Sequence, residues 1–194
     1  MGIIRILLNI LIDFPILATL LLGYQLRRNG QGIWGKPTIS PGMFYSAKAV
    51  VGILFTLTSI AAARPVFFSS FPLLIQNEIP AIQELMSVVF LWTGNLFLIP
   101  AYYSMSIFTR VGLPLSPHVL KTSGVYRFSR NPMYFSFYFF FASCFLLIPS
   151  LPVGFLIIYT FVAHHRIILQ EEKFLTNLFR NKYLAYRKNV PRYI

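Results

Sequence analysis

Residues 116–134 read SPHVLKTSGVYRFSRNPMY, a polar and basic island set between long apolar runs. The island holds His118, Gly124, Tyr126, Tyr134, Asn131, Pro132 and the cations Lys121, Arg127 and Arg130, whereas its neighbours are Phe, Leu and Ile. A chain needs only a few residues to reverse direction between helices. A segment this long and this rich in hydrogen-bonding groups has side chains to grip a ligand.

Outside the island the chain is apolar. Of 194 residues, 56% are hydrophobic and 11% charged, against about 25% charged in a soluble domain. That leaves too little polar surface for a water-facing particle, and the expected class is an all-α, polytopic integral membrane protein in one domain. Five spans are expected, at about Ile3–Leu22, Met43–Ala63, Ile82–Tyr103, Met133–Ile148 and from Pro152 to Ala163. Pro149 to Pro152 is a tight turn, so the last two spans form a helical hairpin. Beyond Ala163 the helical period continues through Ile167, Ile168, Phe174, Leu175, Leu178 and Phe179, as expected of a helix running on at the bilayer surface. Residues 1–110 thus supply three helices, and 111–194 the part that binds. The apolar N-terminus lacks a small-residue cleavage site and reads as the first span.

The net charge of +12 does not form a nucleic-acid stripe. Fifteen of the 17 Lys and Arg fall on one side of the five-span topology, leaving Arg5 and Arg64 on the other. That bias places the N-terminus outside and the island and tail together on the cytoplasmic side of the cell membrane. Asp13, one turn from Asn9 and close to Pro15, reads as a group that fixes helix packing near a kink whose freed carbonyl needs a partner. Cys144 lies alone in an apolar run, with no disulfide or Cys-based metal site. His164 and His165 are adjacent, so they point to different helix faces, and no metal site is expected.

The hairpin brings the island to the level where the fifth span ends. There Glu171 and Glu172 are the only acids of the C-terminal half. Either they pair with nearby cations such as Lys173, Arg166 or Arg130, or one of them holds a ligand.

These residues also resemble a known family. His118-Val-Leu-x-x-x-Gly124-x-Tyr126-x-x-x-Arg130-Asn131-Pro132-x-Tyr134, then Glu171-Glu172, Tyr183-x-x-Tyr186 and Val190-Pro191-Arg192, is similar to the signature of the isoprenylcysteine carboxyl methyltransferases. The similarity spans the last 80 residues or so; the first 110 match only as apolar spans. It implies S-adenosylmethionine-dependent methylation of the carboxylate of a prenylated cysteine or a similar lipid-linked acid. It also implies cofactor contacts at His118, Val119, Leu120, Lys121, Gly124, Tyr126, Asn131, Pro132, Met133, Tyr134, Glu171 and Glu172. Arg166, or else Arg130, is the candidate for holding the substrate carboxylate. Asn131 stands where most members have His, so this position cannot titrate near neutral pH. Alternative readings are a phospholipid N-methyltransferase, with Glu172 or His165 taking the amine proton; an NADPH-dependent sterol-type reductase; and a transporter using Asp13, Asn9 and Asn95.

Overall fold

The computed structural model describes residues 2–30, 35–71, 79–105 and 119–194, and among them the chain is all helical. Six α-helices follow one another: α1 Ile3–Arg28, α2 Pro41–Ala63, α3 Ala81–Met105, α4 Pro132–Leu147, α5 Leu151–Phe179 and α6 Asn181–Asn189. Short 3-10 helices cover Pro65–Ser70 and Gly124–Arg127. The chain is a polytopic membrane protein. By length and composition α1, α2, α3 and α5 are able to cross a bilayer. The helix at the fourth expected span, α4, is the short member at 16 residues, or about 24 Å against a hydrocarbon core of about 30 Å. Pro132 at its start and Pro149 just past its end bound it.

Side-chain bonds fix an up-and-down arrangement. At one end, Arg5 of α1 pairs with Glu84 of α3 and donates to the Ala61 carbonyl of α2. Midway, Ser59 donates to Asp13 at 2.8 Å. Toward the other end, the Thr19 and Tyr102 hydroxyls meet at 3.0 Å and those of Ser46 and Tyr159 at 2.6 Å. Asp13 therefore does fix packing, of α1 on α2. The carbonyl freed by Pro15 is that of Leu11, because proline has no N–H for it. Its partner is not Asp13 but Asn95 of α3, whose Nδ2 donates at 2.8 Å.

The core is aliphatic at one end and aromatic along α4. Leu8, Ile12, Leu54, Leu91 and Leu98 pack with Phe140, Phe141 and Leu147. Helix α4 lies chiefly against α3. Phe135 and Phe139 meet Phe97 and Phe90 edge-on or tilted, and Gly94 lets the Phe140 ring approach to where a Cβ would sit at 2.9 Å. The α4–α5 hairpin is present: Tyr134 reaches Glu171, and Tyr138 packs on Phe161. Phe67 and Phe71 are exposed, as suits a membrane interface, but Phe68 is buried. Helix α5 is 29 residues long without a break, about 44 Å, so its last turns stand beyond a bilayer core. Arg180, at φ +47°, ends it and redirects the chain into α6.

Candidate functional site

The island and the end of α5 meet at one end of the bundle, and two adjacent acids on α5 organise the meeting. Successive residues on a helix point about 100° apart, and Glu171 and Glu172 accordingly serve different surroundings.

Glu172 is buried and closes a clamp. Its Oε1 accepts from Arg130 Nε and Nη2 at 3.2 and 3.0 Å, from Arg192 Nε at 3.1 Å and from Asn131 Nδ2 at 3.2 Å. Its Oε2 accepts from Arg192 Nη2 at 3.0 Å. Arg130 Nη1 donates to the carbonyls of Arg187 and Val190, and its backbone N–H to that of Pro191. Ser129 Oγ donates to the Arg192 carbonyl and accepts from the Asn131 N–H. The Arg130 side chain is only 7% exposed, with nearly all its donors engaged. The Val190–Arg192 tail is thereby pinned to the island. The Glu172 carboxylate, hydrogen-bonded to Arg192, holds that guanidinium above its ordinary pKa.

A second set of contacts pins α6. Tyr186 Oη donates to the Tyr126 carbonyl at 2.6 Å, and the buried Tyr183 packs on the Tyr186 ring. Burial, then the neighbouring Glu172 charge, pushes the Tyr183 hydroxyl up to about 12. Burial also raises Tyr126 and Tyr186.

Glu171 faces the other way. Tyr134 Oη donates to its Oε1 at 2.9 Å. The Lys48 ammonium of α2 lies 5.1 Å from the centre of the Tyr134 ring and 5.6 Å from that of Phe44, a cation–π arrangement. His164 is 0% exposed, edge-on to Tyr134 at 5.0 Å and packed on Phe137 and Phe141, with both ring nitrogens lacking a partner among the described residues. His165 shares a 2.9 Å hydrogen bond through Nδ1 with the Tyr193 hydroxyl.

The sequence candidates therefore divide. Tyr134 joins Glu171, and Arg130 with Asn131 joins Glu172. Tyr126 is buried beneath α6, its hydroxyl without a partner among the described residues. Gly124 adopts φ +62°, the left-handed conformation that favours glycine, beside Ser104 at the end of α3. Pro132 is buried and Met133 half-buried at the start of α4; Leu120 and Lys121 are half-buried and Val119 is exposed. His118 lies outside the described residues. Arg166 is exposed, its Nη1 3.9 Å from Met43 Sδ on α2, and joins neither acid. Sequence reasoning gave no role to Lys48 or Arg192. Lys48 carried a signal, as the only charge between Met43 and Ala63, an otherwise apolar span.

The model of the phospholipid methyltransferase family matches residues 82–182, just over half of the chain. The chain belongs to the phospholipid methyltransferase family. That family falls in the isoprenylcysteine carboxyl methyltransferase-type superfamily of membrane methyltransferases, so the resemblance carried by the island and the Glu pair holds at that level. No curated protein and no solved structure matches the chain. The stretch common to phospholipid methyltransferases runs from α3 to the first residues of α6 and includes both acids and all of the described island.

Proposed function

We propose that the protein transfers a methyl group from S-adenosylmethionine to the carboxylate of a lipid-linked acid such as a prenylated cysteine. We place the site on the cytoplasmic side, where the excess of Lys and Arg belongs. Membership of a membrane methyltransferase family supports the reaction type, and the residues present suit the cofactor. The orphaned, buried Tyr126 hydroxyl and the Tyr134–Glu171 pair offer hydrogen bonds to a polar ligand, and their rings offer faces to a sulfonium. Bound there, S-adenosylmethionine supplies an activated methyl group.

One observation favours a carboxylate over an amine. An amine acceptor arrives protonated and needs a base, whereas an α-carboxylate, with pKa about 3.5, is already ionised. Among the described residues, the bases of this corner are committed or sealed. Glu172 is saturated by Arg130, Arg192 and Asn131. In this reading Glu171 is taken up by the cofactor, His165 is bonded to Tyr193, and His164 is enclosed by aromatic rings. Such a site serves a nucleophile that needs no deprotonation; what it must do is align the reacting atoms and exclude water.

Within this reading Tyr126, Tyr134 and Glu171 hold the cofactor. Arg130, Asn131 and Glu172 are positioning residues that lock the tail against the island. Asn131 then needs no titratable ring, because it donates to Glu172 and to the Arg192 carbonyl. The test is binding of labelled S-adenosylmethionine to the detergent-purified protein. Saturable binding is expected; a folded protein that binds none would sink the reading.

A further inference from the structure

Between α1, α2, α3 and α4 lies a cavity of about 340 Å³ whose walls include Ile16, Leu20, Val51, Phe55 and Phe137. That is near the lower end of the range of about 300–1,000 Å³ that holds a small molecule. Its walls are apolar apart from Thr19, Thr56, Tyr102 and one charged residue, Lys48. Lys48 lines the cavity and its ammonium lies over the Tyr134 ring. Lys48 thus stands between an apolar slot and the Tyr134–Glu171 pair.

This cation is incompletely satisfied. It rests on two aromatic faces, and among the described residues no carboxylate lies within salt-bridge distance of it. A charge in an apolar setting is costly unless something pairs with it. An anion carried on an apolar chain meets both requirements, with its chain in the slot and its acid at the ammonium. A cavity of this size takes one chain and has no room for both chains of a diacyl lipid.

We propose that Lys48, rather than Arg166 or Arg130, holds the acid of the methyl acceptor, and that the α1–α4 cavity holds the acceptor's single apolar chain. The proposal rests on the methyltransferase reading above and adds where the acceptor binds. Arg130 is spent on the clamp, and Arg166 is exposed beside Met43. Lys48 borders both this cavity and the proposed cofactor residue Tyr134. In the step itself one acceptor oxygen forms a bond to the methyl carbon as the carbon–sulfur bond breaks. The bonding pair leaves with sulfur, giving an ester and a neutral thioether with no proton moved. Lys48 binds and orients the carboxylate through that step.

The test uses the full chain in detergent and N-acetyl-S-farnesylcysteine with a photoreactive diazirine in its isoprenoid chain. Adducts are expected on Ile16, Leu20, Val51 or Phe55. Unlabelled N-acetyl-S-farnesylcysteine should compete roughly ten-fold better than its methyl ester, because only the acid pairs with Lys48. Lys48→Met should erase that preference, Lys48→Arg should keep most of it, and Gly52→Phe should narrow the slot and lower labelling by both forms. Phosphatidic acid and phosphatidylethanolamine vesicles, as competitors, show whether a diacyl headgroup uses the same place; competition from either as strong as that of the prenyl acid would overturn the single-chain assignment. Adducts mapping elsewhere, or equal competition by acid and ester in the wild type, would overturn the proposal. Calorimetry with S-adenosylmethionine on the same samples separates the two claims. Equal competition with intact cofactor binding refutes only the acceptor site; acid-selective labelling without cofactor binding refutes only the methyltransferase reading.

Discussion

Tyr134 Oη donates to Glu171 Oε1 at 2.9 Å, joining the first turn of α4 to the end of α5. The bond ties the island to the Glu pair, and Lys48 of α2 caps it through the Tyr134 ring. Side chains of α2, α4 and α5 thus converge on one hydroxyl and one carboxylate.

Cofactor affinity should depend on that pair. Glu171→Ala and Tyr134→Ala are each expected to weaken S-adenosylmethionine binding by roughly ten-fold or more, the value of a hydrogen bond to a charged group. Tyr134→Phe, which keeps the ring packed on His164 and under Lys48, should lose affinity in the same way with little change in thermal unfolding in detergent. Calorimetry that returned wild-type affinity for both alanine variants would remove these residues from the cofactor site.

The clamp should behave in the opposite way. Arg130→Ala leaves the buried Glu172 without its best-buried partner and is expected to cost about 3–5 kcal/mol of stability. Arg192, 28% exposed against 7% for Arg130, should cost less. Limited proteolysis should find the tail after Asn189 released in Arg130→Ala. A tail equally protected in both proteins would show that the clamp does not hold it.

Asn95 and Pro15 should be energetically coupled through Leu11. Asn95→Leu removes the donor to the Leu11 carbonyl and is expected to cost about 0.6 kcal/mol, the average for hydrogen bonds between membrane helices, and no more than about 1.7. Pro15→Ala restores the N–H that this carbonyl lacks in α1. In that background Asn95→Leu should cost measurably less. Additive costs in a double-mutant cycle would mean that Asn95 serves no purpose at the proline.

Docking of α6 should weaken in strong alkali. The Tyr183 hydroxyl is raised to about 12, and those of Tyr126 and Tyr186 are raised too, whereas a released tyrosine ionises near about 10. A raised folded-state pKa contributes stability that is complete below the unfolded value and lost as pH climbs through the folded one. The contribution of Tyr183 should therefore fade between about 10 and about 12. Tyrosinate absorbance should show a late-ionising group that Tyr183→Phe removes. A Tyr183→Phe protein with an unchanged titration curve would speak against the buried hydroxyl.

The fold was legible in the sequence because apolar length and proline punctuation set the helices directly. Spacing also foresaw the antiparallel α4–α5 hairpin and the meeting of island and Glu pair. Four features were not legible. Glu171 and Glu172 are equivalent as letters, and only the 100° step between them sends one to Tyr134 and the other to Arg130 and Arg192. Lys48 was counted as one more basic residue in the topology, since nothing in a single apolar span tells which neighbour it will face. Arg192 belongs to a tail whose role depends on Arg180 turning the chain back after α5, a backbone event without a glycine to announce it. The Pro15 problem could be read, but its solution could not, because the donor lies on a helix some 80 residues away.

The central claim is that a lipid-borne carboxylate meets a methyl donor beside Tyr134 and Glu171. It is tested most directly by incubating the purified protein with methyl-labelled S-adenosylmethionine and N-acetyl-S-farnesylcysteine, then treating the extracted product with base. Label released as methanol, and lost in Glu171→Ala, is the expected result. Label that resists base and sits on the amine of added phosphatidylethanolamine would contradict it.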